Sequence, residues 1–314
     1  MKKWKLMISA PYMQPVPERC LAALREQGVE AVVVKVNERL SEGELLEVIS
    51  DFDAVICGDD RFTERVLRSA PKLKVISKWG TGIDSIDQDA CRRLGIAVCN
   101  TPNAFTDPVA DSVLGYLLCF ARQLPWMNSE MHKGHWKKIA GVSLAESALG
   151  IIGVGNIGRA VARRAKAFGM TILGVDPSPP PEEFLAETGM LLVEKEDLLM
   201  RADFVTLNCD LNSTSRWLMD EASFALMKPT GVIINLARGA IVKESALIEA
   251  LQQKRIAGAA LDTYETEPLP KESPLLMMDN VLLAPHNSNS SPAAWERVHD
   301  NSVRNVLRVL GGAN

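Results

Sequence analysis

Three features are scarce or missing in this sequence, and each absence narrows the class of protein. The six cysteines are scattered without any CxxC pair, which favours a reducing compartment. Lysine and arginine (35) do not outnumber aspartate and glutamate (39), so nothing favours a nucleic-acid partner. The most apolar run, 113–121, is about half of the roughly 20 residues that span a bilayer, and no export signal is readable. We expect a cytoplasmic protein that binds neither nucleic acid nor membrane.

The sequence does contain short apolar runs that alternate with stretches of helical period. A chain of 314 residues with 47% hydrophobic content is longer than one core usually grows, so two domains are expected. Runs rich in Val and Ile between helical patterns are typical of βαβ units around a buried parallel sheet. The runs expected to form strands are 31–36, 54–57, 74–77 and 97–100 in a first series, then 149–153, 171–175, 204–208, 231–236, 257–261 and 280–284 in a second. We predict an α/β protein with two doubly wound parallel-sheet domains.

The chain is predicted to cross between these domains twice. Segments rich in Pro, Asn and Ser, where crossings usually fall, lie near 101–103 and 287–292. A helical tail after the second segment is expected to pack back on the first domain. The predicted domains are therefore 1–101 with 290–314, and 102–289. Since the sequence ends soon after that tail, we expect no effector-binding module.

A glycine-rich sequence, GVGNIG at 153–158, follows a predicted strand and opens a predicted helix, as dinucleotide-binding loops do. Gly155 would let the backbone approach a pyrophosphate, whose charge would lie at the positive N-terminus of the helix. A second strand leads to Asp176, whose carboxylate would bind the ribose hydroxyls and repel the 2′-phosphate of NADP. NAD is the predicted cofactor, and a tight turn without a ligand is the alternative.

Three polar residues follow predicted strands of the second series, at the edge where open α/β sheets bind ligands: Arg238, Glu267 and His286. An arginine can hold the carboxylate of a 2-keto acid and polarise its carbonyl group. A histidine titrates near neutral pH and can exchange a proton, and a carboxylate on its other nitrogen fixes the tautomer. Each residue alone is more often structural or solvated, but together they indicate hydride transfer at a carbinol carbon.

Six motifs occur in this order: GTGIDSID (80–87), NTPN (100–103), GVGNIG (153–158), NLARGAIV (235–242), ALDTYETEP (260–268) and PH (285–286). In their order and spacing they resemble the D-isomer-specific 2-hydroxyacid dehydrogenases, most closely the phosphoglycerate dehydrogenase branch. The resemblance runs from about residue 73 to residue 286. It implies a Rossmann-type NAD domain, a discontinuous flavodoxin-like substrate domain, and a homodimer formed through residues 124–144.

The resemblance also assigns roles to residues. It implies that Arg238, Glu267 and His286 are catalytic. It implies that the backbone amides of Gly80, Thr81 and Gly82 bind the substrate carboxylate, and that Asp262 holds the nicotinamide carboxamide. The residues that it places along the cofactor are Thr81, Gly153, Gly155, Asn156, Ile157, Gly158, Asp176, Cys209, Ala237 and Asp262.

Two residues before this substrate loop leave alternatives open. Lys78 is basic, as in some phosphoglycerate dehydrogenases, and would either hold a distal acidic group of the substrate or face solvent. Trp79 would wall the pocket and exclude bulk. Asp111, Asp210 and residues 287–290 depart from the family pattern, so a more polar pocket rim is expected and the hydroxy acid stays open among phosphoglycerate-, hydroxypyruvate- and glyoxylate-like substrates.

The sequence disfavours a metal site and two other functions. His132 and His135 are three residues apart, but no clear third ligand accompanies them, so no metal is expected. A non-catalytic NAD-sensing scaffold of the corepressor kind is disfavoured by the three catalytic residue types. A formate or phosphite dehydrogenase is disfavoured by Glu267, since formate dehydrogenases have Gln there.

Overall fold

The computed structural model describes residues 4–311, so the ends of the predicted first domain, 1–3 and 312–314, lie outside the described residues. The strands are β1 (Trp4–Ile8), β2 (Val29–Val33), β3 (Ala54–Cys57), β4 (Val75–Lys78), β5 (Ala97–Cys99), β6 (Ala148–Ile152), β7 (Thr171–Val175), β8 (Leu191–Leu192), β9 (Phe204–Leu207), β10 (Val232–Asn235), β11 (Gly258–Leu261) and β12 (Val281–Leu283). The α-helices are α1 (Glu18–Glu26), α2 (Glu42–Val48), α3 (Glu64–Arg68), α4 (Gln88–Leu94), α5 (Thr106–Arg122), α6 (Leu124–His132), α7 (Asn156–Ala167), α8 (Glu182–Thr188), α9 (Lys195–Arg201), α10 (Glu221–Leu226), α11 (Glu244–Gln252) and α12 (Pro292–Leu310).

The chain divides into two compact units. Unit 1 comprises the described residues up to Phe105 together with those from Ser290 onward, and unit 2 is Thr106–Asn289. The first crossing was predicted between residues 101 and 102, whereas residues 102–105 also belong to unit 1. The amide of Thr101 donates a hydrogen bond to the carbonyl oxygen of Gly80 at 2.8 Å. The buried ring of Phe105 lies 5.8 Å from that of Trp79, so this segment packs on the end of β4.

Unit 1 contains a five-stranded parallel sheet in the order β2-β1-β3-β4-β5. The order reverses between β1 and β3, which is the flavodoxin-like arrangement. Its strands are short apolar runs because both faces are covered: Val55, Phe62 and Ile76 are fully buried in one core. The final helix, α12, packs on β3 and β4 of this unit.

Unit 2 contains a seven-stranded parallel sheet in the order β12-β11-β10-β9-β6-β7-β8. The order reverses between β6 and β9, and six of the strands follow the Rossmann order with β12 added at the edge. The core holds fully buried residues such as Ile233, Val205 and Ala259. The predicted fold class, two doubly wound parallel-sheet domains of the flavodoxin-like and Rossmann types, is confirmed. Within residues 4–311, every helix falls short of the length or the apolar character that a membrane crossing needs.

Candidate active site

The loop between β6 and α7 contains three glycines that are required for different reasons. Gly153 has φ +92°, and a Cβ there would lie 2.5 Å from the amide nitrogen of Cys209. A Cβ on Gly158 would collide with the carbonyl oxygen of Gly153. A Cβ on Gly155 would meet no atom within 4 Å. Gly153 and Gly158 are therefore required by the close packing within unit 2. Gly155, by contrast, leaves space open at the N-terminus of α7.

That open space suits the group that the motif implies. Helix α7 begins at Asn156 and Ile157, and the backbone amides of a first helical turn together with the helix dipole favour an anion at this end. β6 and β9 are also the pair at which the strand order reverses, where open α/β sheets bind ligands. The residues present therefore fit a pyrophosphate approaching over Gly155.

Asp176 follows β7 and is held in a fixed orientation. Its Oδ2 accepts a hydrogen bond from the amide of Val154 at 2.7 Å, and its Oδ1 accepts one from the amide of Ser178 at 2.8 Å. The half-buried carboxylate is thus fixed beside the glycine loop. Residues 177–181 contain no lysine or arginine. This arrangement offers acceptors to a ribose diol and a negative charge to any phosphate placed there.

Two further residues predicted along the cofactor lie after neighbouring strands of unit 2. Cys209 follows β9, where its backbone is in contact with Gly153. Burial raises the pKa of its thiol to about 11, so it is a neutral, weakly polar wall and not a nucleophile. Ala237 follows β10, and its amide donates to Oδ1 of Asn235 at 3.2 Å.

The loop that carries Arg238 is braced by its own strand and by the next one. The side-chain amide of Asn235 donates to the carbonyl oxygen of Arg238 at 2.9 Å, which closes the turn. A Cβ on Gly239 would collide with the backbone of Tyr264, so the loop after β10 packs directly on the loop after β11. Arg238 itself is half-buried, and its Nη1 donates to the carbonyl oxygen of Ala237 at 2.8 Å. The guanidinium is therefore carried on a fixed loop.

Glu267 and His286 meet side by side. Oε2 of Glu267 lies 3.1 Å from Nδ1 of His286, and the two side chains are 23% and 26% exposed. The other glutamate oxygen accepts from the amide of Tyr264 at 3.0 Å. The pairing assigns the Nδ1 proton to the bond with glutamate and directs Nε2 of the imidazole to another partner. This is the geometry that a proton-transferring histidine needs.

His286 is held in a backbone conformation that residues other than glycine rarely adopt. Its φ is +52°, in the left-handed region. Its amide donates to the carbonyl oxygen of Asp262 at 2.9 Å. The carboxylate of Asp262, which is fully buried, accepts from the amides of Asn287 and Ser288 at 2.6 and 2.8 Å. Asp262 thus fixes the turn after β12; the role at the nicotinamide, expected from the resemblance, stays a prediction.

In unit 1, the predicted substrate loop follows β4. Gly80 has φ +133°, which favours glycine, and its carbonyl oxygen accepts from the amide of Thr101. The hydroxyl of Thr81 donates to the carbonyl oxygen of Thr101 at 3.1 Å, and the side-chain amide of Asn100 donates to the carbonyl oxygen of Thr81 at 2.6 Å. Gly82, next along, is half-buried. The loop of residues 80–82 is therefore an ordered turn.

The two residues before this loop are buried. Lys78 is 4% exposed, and its Nζ lies 2.6 Å from Oδ1 of Asp59. The alternative that Lys78 faces solvent is therefore wrong, because a carboxylate on the neighbouring loop draws the ammonium inward. Trp79 is also 4% exposed, and its indole nitrogen donates to Nδ1 of His299 at 2.8 Å.

The positions that depart from the family pattern have local partners. Oδ1 of Asp111 lies 2.7 Å from Nε of Arg164, which joins α5 to α7. Asp210 is exposed, and its carbonyl oxygen accepts from the hydroxyl of Ser215 at 2.6 Å. Within 287–290, Ser288 is buried. These contacts explain how the polar residues are accommodated in unit 2.

The two spaced histidines do not form a metal site in the described part of the chain. Nδ1 of His135 lies 2.7 Å from Oε2 of Glu130, and His132 is exposed. Among residues 4–311, no three His, Cys, Asp or Glu side chains are grouped as metal ligands would be.

Three residues at these sites were not predicted from the sequence. Tyr264 bridges two loops, since its amide donates to Glu267 and its hydroxyl donates to the carbonyl oxygen of Ala284 at 2.8 Å. Asp59 and His299 are the partners of Lys78 and Trp79. Tyr264 lies inside a quoted motif and could have been singled out. The other two have no spacing signal, because they lie far from their partners in the sequence.

Comparison with known proteins adds the family. The family model described as "D-isomer specific 2-hydroxyacid dehydrogenase, NAD binding domain" matches residues 114–288. The chain is 39% identical over 311 residues to D-3-phosphoglycerate dehydrogenase of Methanocaldococcus jannaschii. The aligned part covers 98% of this chain and 58% of that protein. It is 36% identical to glyoxylate reductase of Korarchaeum cryptofilum, with 95% of this chain and 91% of that protein covered. A solved D-lactate dehydrogenase from Aquifex aeolicus, complexed with NAD and lactic acid, matches with a TM-score of 0.89 at 25% identity over 98% of this chain and 96% of that one.

The chain therefore belongs to the D-isomer-specific 2-hydroxyacid dehydrogenase family. The predicted family, the class of NAD-dependent oxidoreductase and the NAD cofactor are confirmed at that level. The chain spans 58% of the length of the Methanocaldococcus jannaschii relative.

Proposed function

We propose that this protein transfers a hydride between NAD and C2 of a small D-2-hydroxy acid or its 2-keto acid. The observation that carries the proposal is the pair formed by Glu267 and His286, whose Oε2 and Nδ1 atoms lie 3.1 Å apart. A histidine oriented through one nitrogen can exchange a proton with a substrate oxygen through the other nitrogen. The bound cofactor would supply the hydride to C2 as NADH and accept it as NAD.

His286 is the proposed general acid and base. During reduction, as C2 receives the hydride, Nε2 of the imidazolium gives its proton to the oxygen on C2, and the carbonyl group becomes a hydroxyl. The proton on Nδ1 stays in the bond to Glu267, whose negative charge stabilises the imidazolium before the transfer. During oxidation the same Nε2 takes the hydroxyl proton, and Glu267 again stabilises the resulting cation.

Arg238 is the proposed ligand of the substrate's carboxylate and carbonyl oxygens. Its guanidinium is permanently charged and can donate two parallel hydrogen bonds. The braces from Asn235 and Gly239 keep its loop fixed, so little ordering would be needed on binding. The backbone amides of residues 80–82 are proposed to bind the same carboxylate.

Asp176 is proposed to select NAD over NADP. Its carboxylate is oriented by two amides and would accept hydrogen bonds from the ribose hydroxyls. A 2′-phosphate at that place would face a carboxylate without a neighbouring cation in residues 177–181. Cys209 and Ala237 are proposed to line the rest of the cofactor.

The proposed substrate class is tested with a panel of 2-keto acids. Glyoxylate, hydroxypyruvate, pyruvate and longer 2-keto acids are mixed with NADH, and 3-phosphoglycerate with NAD, while the absorbance of the reduced nicotinamide is followed. We expect turnover of at least one member and its loss in His286→Ala. Absence of turnover with every member, or equal turnover by the variant, would contradict the proposal.

A homodimer through residues 124–144 is proposed as well. Four apolar side chains in this segment are exposed in the chain alone: Leu124, Met131, Trp136 and Val142. Trp136 is 89% exposed, which is costly for a tryptophan that stays in water. Light scattering should give twice the chain mass for the protein and a lower mass for Trp136→Glu; a monomer at micromolar concentration contradicts this.

The cytoplasmic location stays a prediction.

A further inference from the structure

A cluster of polar side chains lies where three strands of unit 1 end. Ser9 follows β1, Asp59 and Asp60 follow β3, and Lys78 ends β4. The strand order of this sheet reverses between β1 and β3, and ligands of open α/β sheets bind beyond the carboxyl ends of the strands at such a point. The cluster is therefore at the ligand-binding end of unit 1, directly before the loop to which we assign the substrate carboxylate.

Lys78 is already neutralised by a residue of this chain. Its Nζ lies 2.6 Å from Oδ1 of Asp59, and the lysine side chain is 5% exposed while the aspartate side chain is 39% exposed. An incoming phosphate or carboxylate would have to displace Asp59 from an ammonium with almost no accessible surface. It would also meet the more exposed carboxylate first, and like charges repel. The ammonium of Lys78 is therefore occupied by a carboxylate of this chain and is closed to an approaching anion.

Asp60 fixes the segment that carries Asp59. It is fully buried, and its two oxygens accept hydrogen bonds from the hydroxyl of Ser9 at 2.5 Å and from the amide of Leu40 at 2.6 Å. These bonds join the segment after β3 to the end of β1. The position of Asp59 beside Lys78 is thus set by the fold and not by an exposed, mobile loop.

Trp79, the residue after Lys78, lies in a cluster of aromatic rings. The ring of Trp79 lies 5.7 Å from that of Tyr12, 5.8 Å from that of Phe105 and 6.2 Å from that of Trp295. The hydrogen bond from its indole nitrogen to His299 fixes the ring. Aromatic faces stabilise apolar substituents and give an anion no compensation for its lost hydration.

We propose that Asp59 determines substrate specificity by neutralising Lys78, so that the protein acts on 2-keto acids whose group beyond C2 is uncharged and discriminates against a distal phosphate or carboxylate. The inference rests on the proposed hydride transfer to 2-keto acids. It narrows that class by the charge of one substituent.

The test compares two substrates that differ by one phosphate. Values of kcat/KM with NADH are measured for hydroxypyruvate and for phosphohydroxypyruvate in the wild type and in Asp59→Asn. The wild type should favour hydroxypyruvate by about tenfold or more, and Asp59→Asn should shift the ratio toward the phosphorylated substrate by about tenfold or more. Preference of the wild type for phosphohydroxypyruvate, or an unchanged ratio in Asp59→Asn, would overturn the proposal.

The matched control is Asp51→Asn. Asp51 pairs with Lys72 at 3.1 Å, but it precedes β3 and so lies at the opposite end of that strand. The same change of side chain and of net charge is made in the same unit. The ratio of the two substrates should stay within about twofold of the wild-type ratio, because this exposed pair is far weaker than a buried one. An equal shift in both variants would overturn the proposal by showing an effect of net charge.

A second variant keeps the test valid if Asp59→Asn does not fold. The double variant Lys78→Met/Asp59→Asn removes both charges of the pair, so that neither an ammonium nor a carboxylate is left unpaired. If Lys78 bound the distal phosphate in the wild type, this variant would lower the relative kcat/KM for phosphohydroxypyruvate. The proposal expects no such fall in the ratio, and a fall of about tenfold overturns it. Circular dichroism establishes which variants are folded.

Calorimetric titration with 3-phosphoglycerate separates this inference from the proposed function. We expect tighter binding to Asp59→Asn than to the wild type, and this readout requires no turnover. If the wild type reduces neither keto acid, the proposed hydride transfer fails, whereas the titration still decides the role of Asp59. Equal affinity of the wild type and Asp59→Asn overturns the inference.

Discussion

The carboxylate of Glu267 lies 3.1 Å from Nδ1 of His286, although the two residues follow different strands of the unit 2 sheet. Tyr264 holds both loops, since its amide binds Glu267 and its hydroxyl binds the carbonyl oxygen of Ala284. The parallel sheet brings the carboxyl ends of β11 and β12 to one edge, and the tyrosine sets the distance between the side chains. The first prediction concerns this pair.

Removing the imidazole should abolish most of the catalysis. His286→Ala is expected to lower kcat by about 10²- to 10⁴-fold, the usual contribution of a general acid and base. Glu267→Gln should lower kcat less and alter its pH profile, because the amide cannot stabilise an imidazolium. Steady-state rates of NADH oxidation between about pH 6 and pH 9 check both, with the exposed Glu249→Gln on α11 as the control. A His286→Ala variant with wild-type kcat would contradict the assignment.

Arg238→Lys should keep the charge and still impair the reaction. A lysine cannot donate two parallel hydrogen bonds, so we expect kcat/KM to fall by about tenfold or more. Arg201→Lys, in an exposed pair with Asp197 on α9, is the matched control and should leave kcat/KM unchanged. If both variants keep wild-type kcat/KM, Arg238 does not bind the substrate.

Asp176→Ser should relax the cofactor preference. The wild type is expected to use NADH in preference to NADPH, and the variant should lose part of its NADH activity while gaining NADPH activity, since the repelling charge is gone. The ratio of kcat/KM for the two cofactors measures this. A wild type that prefers NADPH would disprove the role given to Asp176.

Two glycines of the same loop should respond to alanine in opposite ways. Gly155→Ala meets no atom within 4 Å, so the fold should be retained while NADH binding weakens, because the added methyl group fills the space proposed for the pyrophosphate. Gly158→Ala collides with the carbonyl oxygen of Gly153 and should destabilise unit 2 by about 1–3 kcal/mol. Thermal melting and fluorescence titration with NADH distinguish the two effects. Unaltered NADH affinity in Gly155→Ala would argue against this binding place.

Stability should depend on pH through His299. Burial lowers the pKa of this histidine from its ordinary value, with smaller opposing effects from Glu296 and Asp300, and its Nδ1 must be unprotonated to accept from Trp79. Because the folded pKa lies below the unfolded one, the unfolded chain binds more protons as the pH falls below about 6.5. The contribution of neutral His299 to the free energy of unfolding is therefore complete above that pH. It is lost as the pH falls through the lowered pKa of the folded protein.

The variant His299→Asn isolates this contribution. Its side-chain oxygen can accept from the indole and does not titrate. The melting temperature of the wild type should therefore fall more steeply than that of the variant between about pH 7 and pH 5. Parallel curves would show that His299 does not carry the pH dependence.

Most of the fold followed from apolar runs, because parallel strands covered on both faces are continuously hydrophobic. The predicted runs 171–175 and 204–208 coincide with β7 and β9 within a residue. β1 was not predicted, since only three residues of Trp4–Ile8 are strongly apolar, and β8 has only two residues. Pairing with β2 and β3, and with β7, makes these segments strands, and such pairing is not visible in local composition.

The candidate site was predictable where chemistry lies in local motifs, as in the glycine loop or the residue after each strand. What the sequence could not give is the pairing of side chains far apart in the chain. Lys78 reads as a free cation until Asp59 is seen beside it, and the partner of Trp79 is 220 residues away. Asp262 likewise turned out to be a fully buried brace of the turn after His286.

The configuration of the product is the sharpest test of D-specific reduction at C2 with His286 as the proton donor. Hydroxypyruvate is reduced with NADH by the wild type and by His286→Ala, and the glycerate is resolved on a chiral column. We expect D-glycerate from the wild type and almost none from the variant. L-glycerate, or equal yields of D-glycerate from both proteins, would contradict it.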